Sequence, residues 1–204
     1  MPVVRLELPD LAATQRFGRL LAAQLQAGDV IALSGALGAG KSALARAIIQ
    51  SIDPTEDDVP SPTFTLVQHY ALADGTPLWH LDLYRVEDAQ DAMALGLDDA
   101  FVDAVCLIEW PDRLRKFLPK TNLSIHLYAD ETADESDDTA DDAGLGSSVR
   151  FADVTAPPHW ADRITGLVAA ISAGADTVSF CNHSNGIAGQ IDVKPSRVLM
   201  ALLL

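Results

Sequence analysis

Basic residues are scarce in this chain. Its 204 residues hold 14 Lys and Arg against 29 Asp and Glu, a formal charge of −15 at pH 7. Gripping bare nucleic acid depends largely on Lys and Arg neutralising phosphates, so autonomous binding of tRNA or DNA is disfavoured. Part of the excess is local, because residues 130–142 carry eight acids and no base. The remainder is still acidic and gives no sign of a basic groove. Cysteine is scarce too. Cys106 and Cys181 have no paired spacing, which excludes a disulfide framework and a cysteine-based zinc site. Cys106 lies in an apolar run and reads as a small core residue. No run approaches the ~18 apolar residues of a membrane span, and Met1-Pro2-Val3-Val4-Arg5 lacks the apolar stretch of a signal peptide. The expectation is a soluble, cytoplasmic protein that does not engage a membrane. His69, His80, His126 and His159 show no metal-ligand spacing; each reads as a polar strand or helix position rather than a catalytic base.

What is present is ample apolar content, 49% of residues, and one stretch that organises the rest. Gly35-Ala36-Leu37-Gly38-Ala39-Gly40-Lys41-Ser42 fits G-x-x-x-x-G-K-[ST], a phosphate-binding loop. Val30-Ile31-Ala32-Leu33-Ser34 before it reads as a buried strand. Ala43 to Gln50 after it is rich in helix formers. Strand, glycine loop and helix is the arrangement the motif requires. The glycines let the backbone close around an anion in conformations a Cβ would block. The new helix aims free N–H groups and its positive dipole end at the phosphates. Lys41 would reach the β- and γ-phosphates, and Ser42 would offer its hydroxyl to Mg²⁺. The alternative is a chance glycine-rich turn, which the flanking strand and helix disfavour.

The length favours one domain with a tail. Residues 1–173 are expected to form the domain, with an acidic loop or insertion over 130–146 that cannot pack. Residues 174–204 are a tail of unassigned role. Val3 to Leu8 alternates as a half-buried strand, and Asp10 is placed to cap a helix with apolar spacing at Ala13, Phe17, Leu20, Leu21 and Leu25. Thr63 to Ala71 and Thr76 to Leu83 read as strands joined at Asp74-Gly75, a hairpin turn signal. Glu87 to Leu95 reads as a helix stopped by Gly96. A buried strand over 104–108, a short helix near 112–117, strands over 122–129 and 148–154, and a helix with apolar face Trp160, Ile164, Leu167, Val168 and Ile171 complete the domain.

A phosphate loop needs acids for metal and water, usually at the C-terminal ends of neighbouring strands. Asp82 ends Pro77-Leu78-Trp79-His80-Leu81, and Glu109 ends Val105-Cys106-Leu107-Ile108. Either alone could be a solvated strand terminus. Ser61-Pro62-Thr63-Phe64 could sense γ-phosphate or could be a proline turn.

Four runs in order say more together: the loop at 35–42, Ser-Pro-Thr-Phe at 61–64, Asp-Leu-Tyr-Arg at 82–85 and Glu-Trp-Pro at 109–111. This set resembles the TsaE (YjeE) family over roughly residues 3–171. The fold expected is α/β: a P-loop NTPase-like three-layer sandwich with a mainly parallel central sheet and antiparallel additions. The resemblance implies an ATPase using ATP and Mg²⁺ in the synthesis of threonylcarbamoyladenosine in tRNA, next to the anticodon. It implies TsaB and TsaD as protein partners, with tRNA contacted only indirectly, in keeping with the acidic charge. It implies that Gly35, Gly38, Ala39, Gly40, Lys41 and Ser42 hold phosphates, and that Ser42 and Glu109 are Mg²⁺ ligands. It implies further that Asp82 acts with Lys41 in catalysis, that Thr63 belongs to a switch-like segment and that Thr14 lies near the nucleotide. By spacing alone Thr14 could equally be a helix-surface residue. Ser42 stands where the family more often has Thr, and Ala36 where an acid is common. Two rival readings are a small-molecule P-loop kinase and a nucleotide-dependent binding module with little turnover alone. The acidic stretch where a kinase lid might fall would repel phosphates.

Overall fold

A computed structural model of the protein describes residues 3–54, 62, 65–129, 149–173 and 178–181. Thr63, the acidic run 130–142 and most of the tail lie outside the described residues. The described residues build one sheet of eight strands: β1 (Val3–Leu8), β2 (Val30–Ser34), β3 (Val67–Ala71), β4 (Pro77–Asp82), β5 (Val105–Glu109), β6 (Leu123–Ala129), β7 (Arg150–Thr155) and β8 (Val178–Cys181). Their spatial order is β3-β4-β5-β2-β6-β7-β1-β8. The four central strands β4, β5, β2 and β6 run parallel. The β3–β4 hairpin and the β6–β7–β1–β8 pairings add antiparallel strands at both edges. The expected parallel centre with antiparallel additions is therefore the observed architecture.

The two innermost strands, β2 and β5, are almost continuously apolar because both their faces are covered. Ile31, Leu33, Val105 and Leu107 face one core, together with Leu44, Ile48, Phe17, Leu21 and Trp160 from α1 (Leu11–Ala22), α2 (Lys41–Ile52) and α5 with the turn before it. Val30, Cys106 and Ile108 face a second core with Leu81, Leu97 and Leu114, closed by α3 (Ala89–Met93), α4 (Leu97–Asp103) and a 3-10 segment at Pro111–Phe117. Burial pushes the Cys106 thiol up to about 12, so it stays a neutral core group. No described helix is long and apolar enough to cross a membrane.

Asp10 caps α1 by accepting the Ala13 N–H at 2.7 Å, as its position suggests. Gly18 lets α1 press onto α2: a Cβ there would stand 2.6 Å from the Ala47 Cβ. One helix was not anticipated. Gly96 does not simply stop a segment; it starts α4 in a left-handed conformation, φ 90°. Asp98 and Asp99 make its first turn polar, and tertiary burial of Leu97 and Ala100 is what makes it a helix. The segment after Trp110 is also broken, at Arg115, φ 52° and ψ −119°. Strand β8 falls in the region assigned to a tail and covers the β1 edge.

A buried ion pair ties α5 to the turn before β2. Arg163 donates to both Asp29 oxygens at 2.6 and 2.9 Å and stacks over Trp160 at 3.6 Å. Asp29 also accepts the Gln26 N–H. Removing one partner of such a pair strands a buried charge. Asp29→Ala is expected to lower unfolding free energy by about 3 kcal/mol, read as a lower urea midpoint with unchanged slope. An unshifted midpoint would show that the pair contributes nothing.

Candidate nucleotide site

The loop after β2 lies at the sheet's centre, where a strand's C-terminal end meets a helix N-terminus. Gly35, Gly38 and Gly40 take positive φ of 135°, 80° and 105°. The constraint is tightest at Gly35, where a Cβ would collide with the Leu127 carbonyl of β6, so the loop can leave the sheet only through glycine. The Ala39 N–H bonds back to the Ala36 carbonyl at 3.2 Å, and Ala39 is buried. Helix α2 then opens at Lys41 with no side chain capping it. Its first N–H groups and positive dipole end are thereby suited to an anion.

Lys41 folds back over this loop. Its Nζ donates to the Gly35 carbonyl at 2.9 Å and the Ala36 carbonyl at 2.8 Å. It also sits 3.9 Å from the centre of the Trp110 ring, a cation–π contact. Trp110 reaches there from a left-handed backbone, φ 59°. Burial lowers the Lys41 pKa from its ordinary value, and the Glu109 and Asp82 carboxylates oppose that shift without cancelling it.

Parallel pairing places the two acids side by side. Asp82 ends β4, Glu109 ends β5, and their Cα positions are register partners. Both are buried, 7% and 1% exposed. The Ser42 hydroxyl donates to Glu109 Oε2 at 2.7 Å, across 67 residues of chain. Asp82 Oδ1 accepts the Tyr84 N–H at 3.0 Å, fixing its carboxylate in the turn that leaves β4. A cavity of about 330 Å³ lies between them, lined by Gly38, Gly40, Lys41, Ser42, Asp82, Tyr84, Arg85, Glu109 and Trp110 among others. Arg150 of β7 runs beside Gly40: a Cβ there would be 3.6 Å from the Arg150 Cδ.

Of the residues anticipated from sequence, Gly38, Gly40, Lys41, Ser42, Asp82 and Glu109 converge on this cavity. Gly35 and Ala39 shape the loop behind it. Thr14 is neither on the helix surface nor in the cavity lining. It is buried on the inner face of α1, and its hydroxyl donates to the Asp10 carbonyl at 3.3 Å. His80, read from sequence only as a polar strand or helix position, contacts Glu109 at 3.0 Å. The available signal was its spacing: two residues before Asp82 on a strand puts both on one face.

The family model described as "Threonylcarbamoyl adenosine biosynthesis protein TsaE" matches residues 8–137, more than half of the chain. The chain belongs to the TsaE family. Its relatives include the tRNA threonylcarbamoyladenosine biosynthesis protein TsaE of Haemophilus influenzae, 36% identical over 131 residues, 61% of this chain and 82% of that one. The TsaE of Streptomyces coelicolor is 37% identical over 145 residues, 69% of this chain and 97% of its own. The crystal structure of Bacillus subtilis YdiB has a TM-score of 0.59 at 24% identity, covering 81% of this chain and 94% of that chain, a likeness of fold. The TsaE match reaches from the end of β1 beyond β6, so the loop, α2, Asp82 and Glu109 all lie inside it.

Proposed function

We propose that this protein is a Mg²⁺-dependent ATPase required for threonylcarbamoyladenosine modification of tRNA next to the anticodon, acting with a TsaB–TsaD complex. The observation that carries the reading is the Ser42–Glu109 hydrogen bond at the opening of α2, with Lys41 and Asp82 beside it. Loop N–H groups and Lys41 hold the β- and γ-phosphates of ATP. Ser42 and Glu109 hold Mg²⁺. The donor set fits: both are hard oxygen ligands. Mg²⁺ typically takes only one or two protein groups beside phosphates and water, so the lack of any cluster of three or more metal-ligating acids, histidines or cysteines among the described residues is no obstacle. When bound, Mg²⁺ supplies positive charge to the phosphate oxygens. Lys41 leaves the Gly35 and Ala36 carbonyls for the phosphates. Asp82 orients the attacking water and accepts its proton. Thr63 contributes from the switch-like segment, and Thr14 acts on the nucleotide only through the packing of α1 on α2.

The acidic charge supports protein partners rather than direct tRNA contact. The rival readings are a small-molecule kinase and a binding module with little turnover alone. One assay separates all three: phosphate release from ATP, with Mg²⁺ or excess chelator, with and without the TsaB–TsaD pair. The expected result is slow Mg²⁺-dependent release, stimulated by the pair. Phosphate appearing on a small acceptor would favour a kinase. Nucleotide binding with no release under any condition would leave only the binding module.

A further inference from the structure

Glu109 has a second partner that neither phosphate nor metal chemistry accounts for. His80 and Glu109 side chains are each 1% exposed, and His80 Nε2 lies 3.0 Å from Glu109 Oε1. The two carboxylate oxygens are thus divided. One faces the imidazole in the interior; the other accepts the Ser42 hydroxyl at the mouth of the cavity. An ionised carboxylate only accepts, so His80 must present its proton on Nε2. Among the described residues its Nδ1 has no partner. A bare lone pair there is a smaller cost than an unpaired buried N–H. An Nε2–H directed at the carboxylate is therefore the arrangement the surroundings select.

The position follows from the sheet. Leu78, His80 and Asp82 alternate on the face of β4 that packs toward α2, and parallel register sets His80 opposite Leu107, one step inside Glu109. Leu78 and Leu107 beside it are fully apolar and buried. Among the described residues the polar contact of this histidine is the Glu109 carboxylate.

We propose that His80 is a positioning residue, acting through Glu109 to hold one oxygen of that carboxylate toward Ser42 and a bound divalent cation. The proposal rests on the ATPase reading above. Without the imidazole, Glu109 Oε1 would be buried with nothing to donate to it, and the carboxylate would rotate or withdraw from Ser42. Outer partners of metal ligands typically change metal affinity by ~10–100-fold. The loss should fall on the cation rather than on the nucleotide.

The test uses the full chain with ADP and Mn²⁺, free Mn²⁺ being read by its electron-spin resonance signal. His80→Leu removes the donor at similar volume; His80→Gln keeps an N–H near the Nε2 position. The expected result is Mn²⁺ affinity weakened ~10–100-fold in His80→Leu and largely restored in His80→Gln. ADP affinity in chelator should stay at the wild-type level in both. Wild-type Mn²⁺ affinity in His80→Leu, or equal loss in both variants, would overturn the positioning role alone. Failure of the unaltered protein to take up Mn²⁺ with ADP would overturn the ATPase reading and this role with it. Should His80→Leu not fold, imidazole nitrogen NMR of the unaltered protein decides. His80 should show a protonated Nε2 and bare Nδ1, and the Nε2–H resonance should move when Mg²⁺ is added to the ADP-bound protein. An unmoved resonance or the opposite tautomer rejects the proposal.

Discussion

Lys41→Ala is expected to weaken ATP binding by about 10²-fold or more. In the folded chain the ammonium group is already desolvated, tied to the Gly35 and Ala36 carbonyls and laid on the Trp110 ring. A cation held in this way exchanges its carbonyl contacts for phosphate oxygens with little new desolvation. Truncating one side of a buried, hydrogen-bonded charge contact costs ~2–5 kcal/mol, and each 1.4 kcal/mol is about tenfold in affinity. The alanine variant also removes the side-chain tie to the Gly35 and Ala36 carbonyls. Calorimetric titration with a non-hydrolysable ATP analogue measures the loss. Affinity within a few-fold of the unaltered protein would mean that the phosphates do not sit where Lys41 reaches.

Asp82→Asn carries the second large effect, and on a different quantity. The amide keeps an Oδ1 that can accept the Tyr84 N–H, so the turn after β4 should persist. It removes the charge and the oxygen proposed to accept the proton. Positioned acid–base groups contribute ~10²–10⁴-fold, so Mg²⁺-dependent phosphate release should fall within that range. ATP affinity should change little, because Lys41, Ser42 and Glu109 are untouched. Single-turnover release measured beside equilibrium binding separates the two quantities. If binding and release fall together, Asp82 is a ligand rather than a base. If neither falls, it does not take part. The proposed metal role predicts different behaviour for the neighbouring acid: loss of Glu109, which is bonded to Ser42, should fall on the Mg²⁺ dependence.

Much of the site was legible because its core is contiguous. Gly38, Gly40, Lys41 and Ser42 lie within a few residues, and the strand before and helix after them have local signals of their own. Asp82 and Glu109 were legible for a related reason, since each ends an apolar run and strand ends face ligands in parallel sheets. Thr14 was open between two readings, and its burial follows from the α1–α2 contact through Gly18 and Ala47, which no spacing rule reveals. Helix α4 was illegible because its polar first turn outweighed two small apolar contacts in any local window.

The sequence by itself determined the glycine loop, the strand–loop–helix unit around it, the acidic character of the chain and the two strand-end carboxylates. These depend on residues that are neighbours along the backbone. The tertiary structure decided which side chains meet. Ser42 bonds Glu109 across 67 residues, and His80 reaches the same carboxylate across 29. Those contacts exist only because β5 pairs in fixed register with β2 on one side and β4 on the other, and that register is set by burying the alternating faces of the central strands at once.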